Sequence, residues 1–211
     1  MTNPVDFASL LCSRLCHDLL SPVGALNNGI ELLSDEHDPE MRARCLDLLA
    51  ESARASANKL KFFRLAFGSA GGFGEAVDTR EARSAIEGLI GDGKIQLGWM
   101  VAEPSLSKVA IKVLLNLALI AGDALVRGGR LDIGAEGPEI VVRAEGPRLV
   151  LDSELKDALL GWTSEEALTP RAAAAWLVHS LAKDAGGEIQ VSDADGVLLF
   201  GAHLPDGRNR L

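Results

Sequence analysis

Cysteine, basic residues and long apolar runs are all scarce in this chain. Three cysteines among 211 residues are too few for a disulfide framework, so we expect a reducing compartment, the cytoplasm. The 21 Lys and Arg residues face 30 Asp and Glu residues, and the resulting net charge of -9 disfavours nucleic acid as a partner. The most apolar stretch is interrupted by Lys112, Asn116 and Asp123, and no basic region precedes an apolar run near Met1. The sequence therefore predicts neither a membrane span nor an export signal.

The apolar content is nevertheless high, at 47%, which is enough for a buried core. Four glycines between 67 and 75 predict a domain boundary, because glycine weakens helix and strand interiors. Before this boundary, apolar periodicity predicts two long helices that form a hairpin, with Pro39 in the first turn of the second helix. The predicted helices are residues 5–34 and 40–66, and the predicted domains are residues 1–68 and 76–206.

The second predicted domain has helices and mostly antiparallel strands, an order typical of a two-layer α/β sandwich. Turn and periodicity signals place its helices at 79–91, 105–126, 153–161 and 170–187, and its strands at 94–100, 130–135, 139–144, 188–193 and 197–204. The expected fold class is therefore α+β, a helical hairpin followed by this sandwich.

The first helix has two contrasting stripes along its length. One is apolar and is predicted to face a core: Leu11, Leu15, Leu19, Val23, Leu26, Ile30 and Leu33. The opposite stripe consists of small or polar residues around a histidine: Ser13, His17, Ser21, Gly24 and Asn28. Small neighbours leave His17 open to a bulky partner surface. Cys12 and Cys16 lie toward the apolar side, so we assign them to core packing rather than to a metal site with His17.

The residues around His17 suit nucleophilic chemistry. A neutral imidazole offers a nucleophilic nitrogen at pH 7, and an adjacent carboxylate, here Asp18, can accept the other ring N–H and stabilise the charge that develops. Pro22 removes a backbone donor inside the helix and is expected to kink it one turn after the histidine.

The segment CHDLLSPVGAL resembles the H-box of histidine kinases, in which an acid follows a phosphorylatable histidine and a proline comes five residues after it. His17, Asp18 and Pro22 have that spacing. Residues 76–205 likewise resemble the kinase ATP-binding domain, with KVLLNLALIAGDAL similar to its N-box and EIQVSDADGVLLFGAHLP similar to its closing hairpin. Both halves of the chain thus resemble the corresponding parts of histidine kinases.

The nucleotide-binding positions of the kinases are not matched. Asn116 corresponds to the first N-box asparagine, but Ile120 stands where the second, the Mg²⁺ ligand, is expected. Ala144, in RAEGPRLVL, stands in place of the aspartate that reads adenine. The segment TPRAAAAW has no glycine, where a glycine-rich loop would present backbone N–H groups to phosphates. The resemblance therefore implies that ATP binding was lost.

A hairpin with a phosphorylatable histidine and a sandwich without a nucleotide site resembles the dimeric histidine phosphotransferases of the ChpT type. The resemblance implies that His17 takes a phosphoryl group from one receiver aspartate and passes it to another, assisted by Asp18. It needs no cofactor on this chain, since Mg²⁺ is held by the partner receiver. The implied donor is the receiver of a CckA-like hybrid histidine kinase, and the implied acceptors are CtrA-like and CpdR-like response regulators. The expected partner-binding residues are Ser13, Arg14, Ser21 and Gly24.

A two-helix hairpin cannot bury its apolar stripe alone, so we predict a homodimer in which two hairpins form a four-helix bundle. Residues of the second helix predicted to complete that core are Met41, Cys45, Leu49, Leu60 and Phe63. Two other functions remain open: an ATP-dependent kinase with unrecognised nucleotide ligands, and a scaffold that binds receivers without transferring phosphate.

Overall fold

The computed structural model describes residues 3–68, 76–91 and 93–205 and confirms the α+β fold class. Most of the predicted glycine-rich boundary, residues 69–75, lies outside the described residues. Residues 1, 2 and 206, which belong to the predicted domains, also lie outside them. In chain order the elements are α1 (Pro4–Asp35), α2 (Pro39–Ala66), β1 (Ala76–Asp78), α3 (Thr79–Ile90), β2 (Ile95–Val101), β3 (Ser105–Ser107), α4 (Lys108–Ala124), β4 (Gly129–Glu136), β5 (Glu139–Glu145), α5 (Ser153–Leu159), a 3-10 turn (Glu165–Ala167), α6 (Ala173–Asp184), β6 (Glu188–Ala194) and β7 (Val197–His203).

The hairpin helices start where local chemistry favours a helix start. Asn3 and Asp38 cap α1 and α2 by accepting backbone N–H bonds, and each is followed directly by a proline in the first turn, where a missing N–H costs nothing. The two helices approach closely at Gly29, where an added Cβ would lie 2.9 Å from the Leu49 side chain. α2 therefore covers one side of α1 along its length.

The other side of α1 is not covered by the described residues of this chain. The residues of the predicted apolar stripe therefore differ in exposure. Val23 and Ile30 of that stripe are 50% and 60% exposed, whereas its remaining members are partly buried. Cys12 and Cys16 are both exposed in the single chain, so the core packing predicted for them is not found within one copy of the protein. They point away from α2, on the same open side as Val23, since residues 12, 16, 20 and 23 follow at helical spacings of three and four.

The sandwich contains a five-stranded sheet in the order β2-β4-β5-β7-β6. β2 and β4 are parallel and the other neighbours are antiparallel, as expected for a mostly antiparallel sheet. One face packs against helices and the other faces solvent, so buried and exposed residues alternate along the strands. The buried set includes Leu131, Ile133, Ile140, Val142, Ala144, Leu198, Phe200 and Ala202.

Helix α4 lies in the middle of the core and connects the sandwich to the hairpin. Twelve of its residues are buried, which is why its sequence is apolar all round. Asn116 is fully buried, and its amide nitrogen donates to the Ala66 carbonyl at the end of α2 (3.1 Å) and to the Lys112 carbonyl (2.8 Å). Asn116 therefore links the two parts of the chain.

The prediction of one helix over 105–126 is corrected at its start. Residues Ser105–Ser107 form β3, which pairs antiparallel with β1 in a small second sheet that the sequence did not predict. Ser107 then caps α4, its side chain accepting from the Ala110 N–H, so the helix begins three residues later. Among the described helices, none is both long and apolar enough to cross a bilayer.

Candidate functional site

His17 lies on the outer face of α1 with 84% of its side chain exposed. α1 continues without interruption through Pro22. The Nδ1 atom of His17 lies 3.5 Å from Oδ1 of Asp18, which is at the outer limit for a hydrogen bond. Nδ1 is thus the ring nitrogen on the carboxylate side, and Nε2 is left for an approaching group.

The Asp18 carboxylate is bound by Arg14, which lies one helical turn earlier. Its Oδ2 atom accepts a hydrogen bond from Arg14 Nε at 2.7 Å, and the two side chains are only 20% and 15% exposed. A charge-assisted bond of this length between largely buried groups fixes the carboxylate more firmly than a surface ion pair does. Asp18 therefore presents one oxygen to Arg14 and the other to His17.

Arg14 also ties α1 to the sandwich. Its NH2 group donates to Oδ2 of Asp123 on α4 at 3.1 Å, and its NH1 group donates to the Arg171 carbonyl at 3.2 Å. The sequence predicts a contact with a partner for Arg14, whereas in the structure its guanidinium is engaged inside the chain. Its contacts link the helix of His17 to two segments of the sandwich.

A cleft of about 500 Å³ opens between α1 and the sandwich, beside His17. Ser13 and the charged residues described above line its α1 side, and Ile120 and Asp123 contribute from α4. The far wall is formed around Asp152, Thr169 and Arg171, where Arg171 NH1 bonds Asp152 Oδ2 at 2.7 Å. The exposed histidine is thus at the rim of a polar depression rather than on a uniform helix surface.

The other predicted contact residues occupy one side of α1 but do not all reach the cleft. Ser13 lines it. Ser21 is exposed one turn beyond His17 and Gly24 is half-buried. A Cβ at Gly24 would meet nothing within 4 Å, so the space above this turn is open. Ser21 and Gly24 extend the accessible surface away from the cleft along α1.

The electrostatics of the cleft centre on Asp123 and Arg14. Although 57% of its side chain is exposed, the packing around Asp123 partly desolvates its carboxylate and raises its pKa, and the charge and hydrogen bond of Arg14 oppose that rise. Burial works against the charge of Arg14, but its hydrogen bonds and charge interactions with Asp18 and Asp123 outweigh burial and raise its pKa. Arg14 therefore stays charged at any physiological pH.

Four residues of this site escape the sequence analysis: Lys59, Asp123, Asp152 and Arg171. Lys59 of α2 donates from Nζ to the Asp18 carbonyl at 2.7 Å. Pro22 carries the signal for it, since a proline in a helix leaves the carbonyl four residues earlier without its usual donor. The other three come from distant parts of the chain, and no local pattern marks them.

Two comparisons of sequence identify the family. The model of the histidine phosphotransferase C-terminal domain matches residues 79–196. The protein phosphotransferase ChpT of Brucella abortus (strain 2308) is 34% identical over 204 residues, covering 95% of this chain and 96% of that protein. The chain belongs to the histidine phosphotransferase family.

The structure of this phosphotransferase agrees with that assignment. A bacterial phosphotransferase solved at 1.7 Å superposes with a TM-score of 0.85 at 32% identity, covering 96% of this chain and 98% of that one. The agreement spans both the hairpin and the sandwich. This histidine phosphotransferase is therefore an enzyme, as the sequence predicts.

Proposed function

We propose that this phosphotransferase relays a phosphoryl group between the aspartates of two receiver domains through His17. The observation that carries the proposal is the exposed imidazole of His17, with Nδ1 toward a fixed carboxylate and Nε2 toward solvent. In the first step Nε2 attacks phosphorus, the N–P bond forms, and the P–O bond to the donor aspartate breaks and releases its carboxylate. In the second step an acceptor carboxylate attacks, and the N–P bond breaks.

Asp18 supports both steps without taking part in bond formation. While Nε2 carries phosphorus, the ring keeps its proton at Nδ1, and the Asp18 carboxylate stabilises the cation. Arg14 holds that carboxylate in place. Receiver domains supply the Mg²⁺ that neutralises the transferring phosphoryl group, so this chain contributes position and nucleophile rather than metal chemistry.

The partners that we propose are those of two-component signalling. The donor is the receiver of a CckA-like hybrid histidine kinase, and the acceptors are CtrA-like and CpdR-like response regulators. Ser13, Ser21 and Gly24 admit the receiver to α1, and the rim of the cleft gives the sandwich a second contact surface for choosing among receivers. This relay would operate in the cytoplasm, which the free thiols of Cys12 and Cys16 support.

We propose that the relay does not use ATP. Ile120, at the position of the kinase metal ligand, is an apolar side chain that is 3% exposed. The turn before α6 contains no glycine, and Ala172 at the helix start offers no side-chain cap. Ala144 is fully buried in β5. These features support the proposal that the sandwich resembles the kinase ATP-binding domain in fold but lacks the residues that bind the nucleotide.

We propose a homodimer in which the hairpins of two copies pair. The open side of α1 carries Val23 and Ile30, and α2 adds Met41 and Leu60, which are 45% and 55% exposed. Large apolar side chains that continue along both helices of a hairpin need cover from water. Of the other predicted core residues, Cys45 and Leu49 are partly buried and Phe63 is already buried within the chain, at 6% exposure.

The deciding experiment starts from a receiver phosphorylated on its aspartate with labelled phosphate, with ATP removed. Wild-type enzyme and His37→Ala, a control at an exposed histidine in the turn after α1, should both acquire label, and His17→Ala should acquire none. A parallel reaction with labelled ATP and no receiver should label none of them. Label on His17→Ala would refute His17 as the nucleophile, label from ATP would favour the kinase, and no label from any cognate receiver would favour the scaffold.

A further inference from the structure

Pro22 leaves a carbonyl without its helical partner directly beside the proposed nucleophile. Proline has no N–H, so the carbonyl of Asp18, four residues earlier, cannot receive the usual helix hydrogen bond. Pro22 is buried in α1, and the helix nevertheless continues from Pro4 to Asp35. A helix that continues through a proline needs another donor for the freed carbonyl.

That donor comes from α2. Nζ of Lys59 lies 2.7 Å from the Asp18 carbonyl oxygen, and the lysine is half-buried between the helices. The bond is charge-assisted and therefore short and strong. The bond joins the two helices at Asp18, the residue that follows His17. Movement of α2 at Lys59 would therefore move the α1 backbone that carries His17.

The charge of Lys59 also acts on Asp123, which lines the cleft. Desolvation raises the pKa of Asp123, and Lys59 joins Arg14 in opposing that rise. Lys59 on α2 and Arg14 on α1 therefore both favour the charged form of Asp123. Lys59 bonds the backbone, whereas Arg14 bonds the Asp18 carboxylate.

We propose that Lys59 is a positioning residue for phosphotransfer, which binds the Asp18 carbonyl freed by Pro22 and thereby fixes where His17 presents Nε2. This role rests on the proposed function of His17. Lys59 does not touch the phosphoryl group; it acts through the α1 backbone. Since small errors in the placement of a nucleophile slow transfer without weakening docking, loss of Lys59 should lower the rate at saturating receiver and leave the half-saturating receiver concentration unchanged.

The test is a double-mutant cycle between Lys59 and Pro22. Lys59→Met keeps the length of the side chain and removes its donor, whereas Pro22→Ala restores a backbone N–H to the Asp18 carbonyl. We expect Lys59→Met to slow single-turnover transfer from a phosphorylated receiver at least tenfold, with less than a twofold change in half-saturation. The Pro22→Ala/Lys59→Met pair should transfer within threefold of Pro22→Ala alone, because its carbonyl no longer needs the lysine.

Matched variants separate this role from general effects. Lys59→Arg should stay within threefold of the wild type, and Lys61→Met, at an exposed lysine of the same helix, should transfer like the wild type. Circular dichroism checks folding, and if Lys59→Met does not fold, Lys59→Gln is measured in both backgrounds. Wild-type rates in Lys59→Met, or a double variant as slow as the single one, would overturn the Lys59 proposal alone. A wild type that never acquires label would overturn the proposed function and this role with it.

Discussion

Replacing Arg14 with glutamine tests whether the contacts between α1 and the sandwich hold the site together. The variant keeps a polar side chain but loses the guanidinium that bonds the Asp18 carboxylate, the Asp123 carboxylate and the Arg171 carbonyl at 2.7, 3.1 and 3.2 Å. Arg14 is 15% exposed, so water replaces only part of these bonds.

The expected decrease in the free energy of unfolding follows from the exposure of each partner of Arg14. Asp18 is 20% exposed, and a hydrogen bond to a charged group in such a place contributes about 1.5 to 3 kcal/mol. Asp123 is 57% exposed, so solvent screening limits its pair to about 1 kcal/mol or less. The bond to the Arg171 carbonyl adds about 1 kcal/mol. Because such terms overlap, we expect the free energy of unfolding to fall by about 3 kcal/mol.

The assay is urea unfolding followed by circular dichroism, with Arg83→Gln as the control. Arg83 bonds Glu87 at 2.8 Å with the same four-residue spacing on a helix, but both side chains are about half exposed, so its loss should cost about 0.5 kcal/mol or less. In Arg14→Gln the urea titration should show the loss of about 3 kcal/mol, and a thermal scan should show the midpoint lowered by about 6 to 12 °C. Equal losses in the two variants would refute the idea that Arg14 joins α1 to the sandwich.

Two further predictions concern assembly and pH. Light scattering of the wild type at micromolar concentration should give the mass of a dimer and Val23→Glu that of a monomer, since Val23 is on the open side of α1; a wild-type monomer, or a Val23→Glu dimer, would contradict the proposed interface. For Asp123, whose pKa is raised by desolvation, the folded state holds the proton more tightly than the unfolded state. Its contribution therefore stabilises at low pH and is lost as pH rises through the raised pKa. Urea unfolding between pH 4 and 7 should show that loss in the wild type relative to Asp123→Asn, and parallel pH profiles would contradict it.

Local chemistry was sufficient to predict most elements of this protein. The apolar periodicity of α1 and α2, with Pro39 at the start of the second helix, predicts two helices whose observed limits differ by one residue at most. The strands of the large sheet follow from short apolar patterns between turn signals. β1 and β3 were missed because three-residue strands carry no periodicity, and they form only through mutual pairing at Val77 and Leu106.

The arrangement around His17 was predictable in part. The spacing of His17, Asp18 and Pro22 is local, and the structure keeps Asp18 next to the imidazole. The environment of Arg14 was not predictable from its helix, because its partners Asp123 and Arg171 are 109 and 157 residues away in the chain. An exposed and a buried arginine have the same helical signature until the opposing surface is known.

The sequence by itself determined the helix that carries His17, the acid beside it and the proline that frees the Asp18 carbonyl, because each depends on residues within one or two turns. Only the tertiary structure decided which distant groups contact these residues. Lys59 reaches the freed carbonyl across 41 residues of chain, and the cleft beside His17 exists only where α1, α4, the start of α5 and the segment before α6 meet. The physical reason is that backbone geometry is set by near neighbours, whereas burial and charge pairing depend on which distant surfaces pack together.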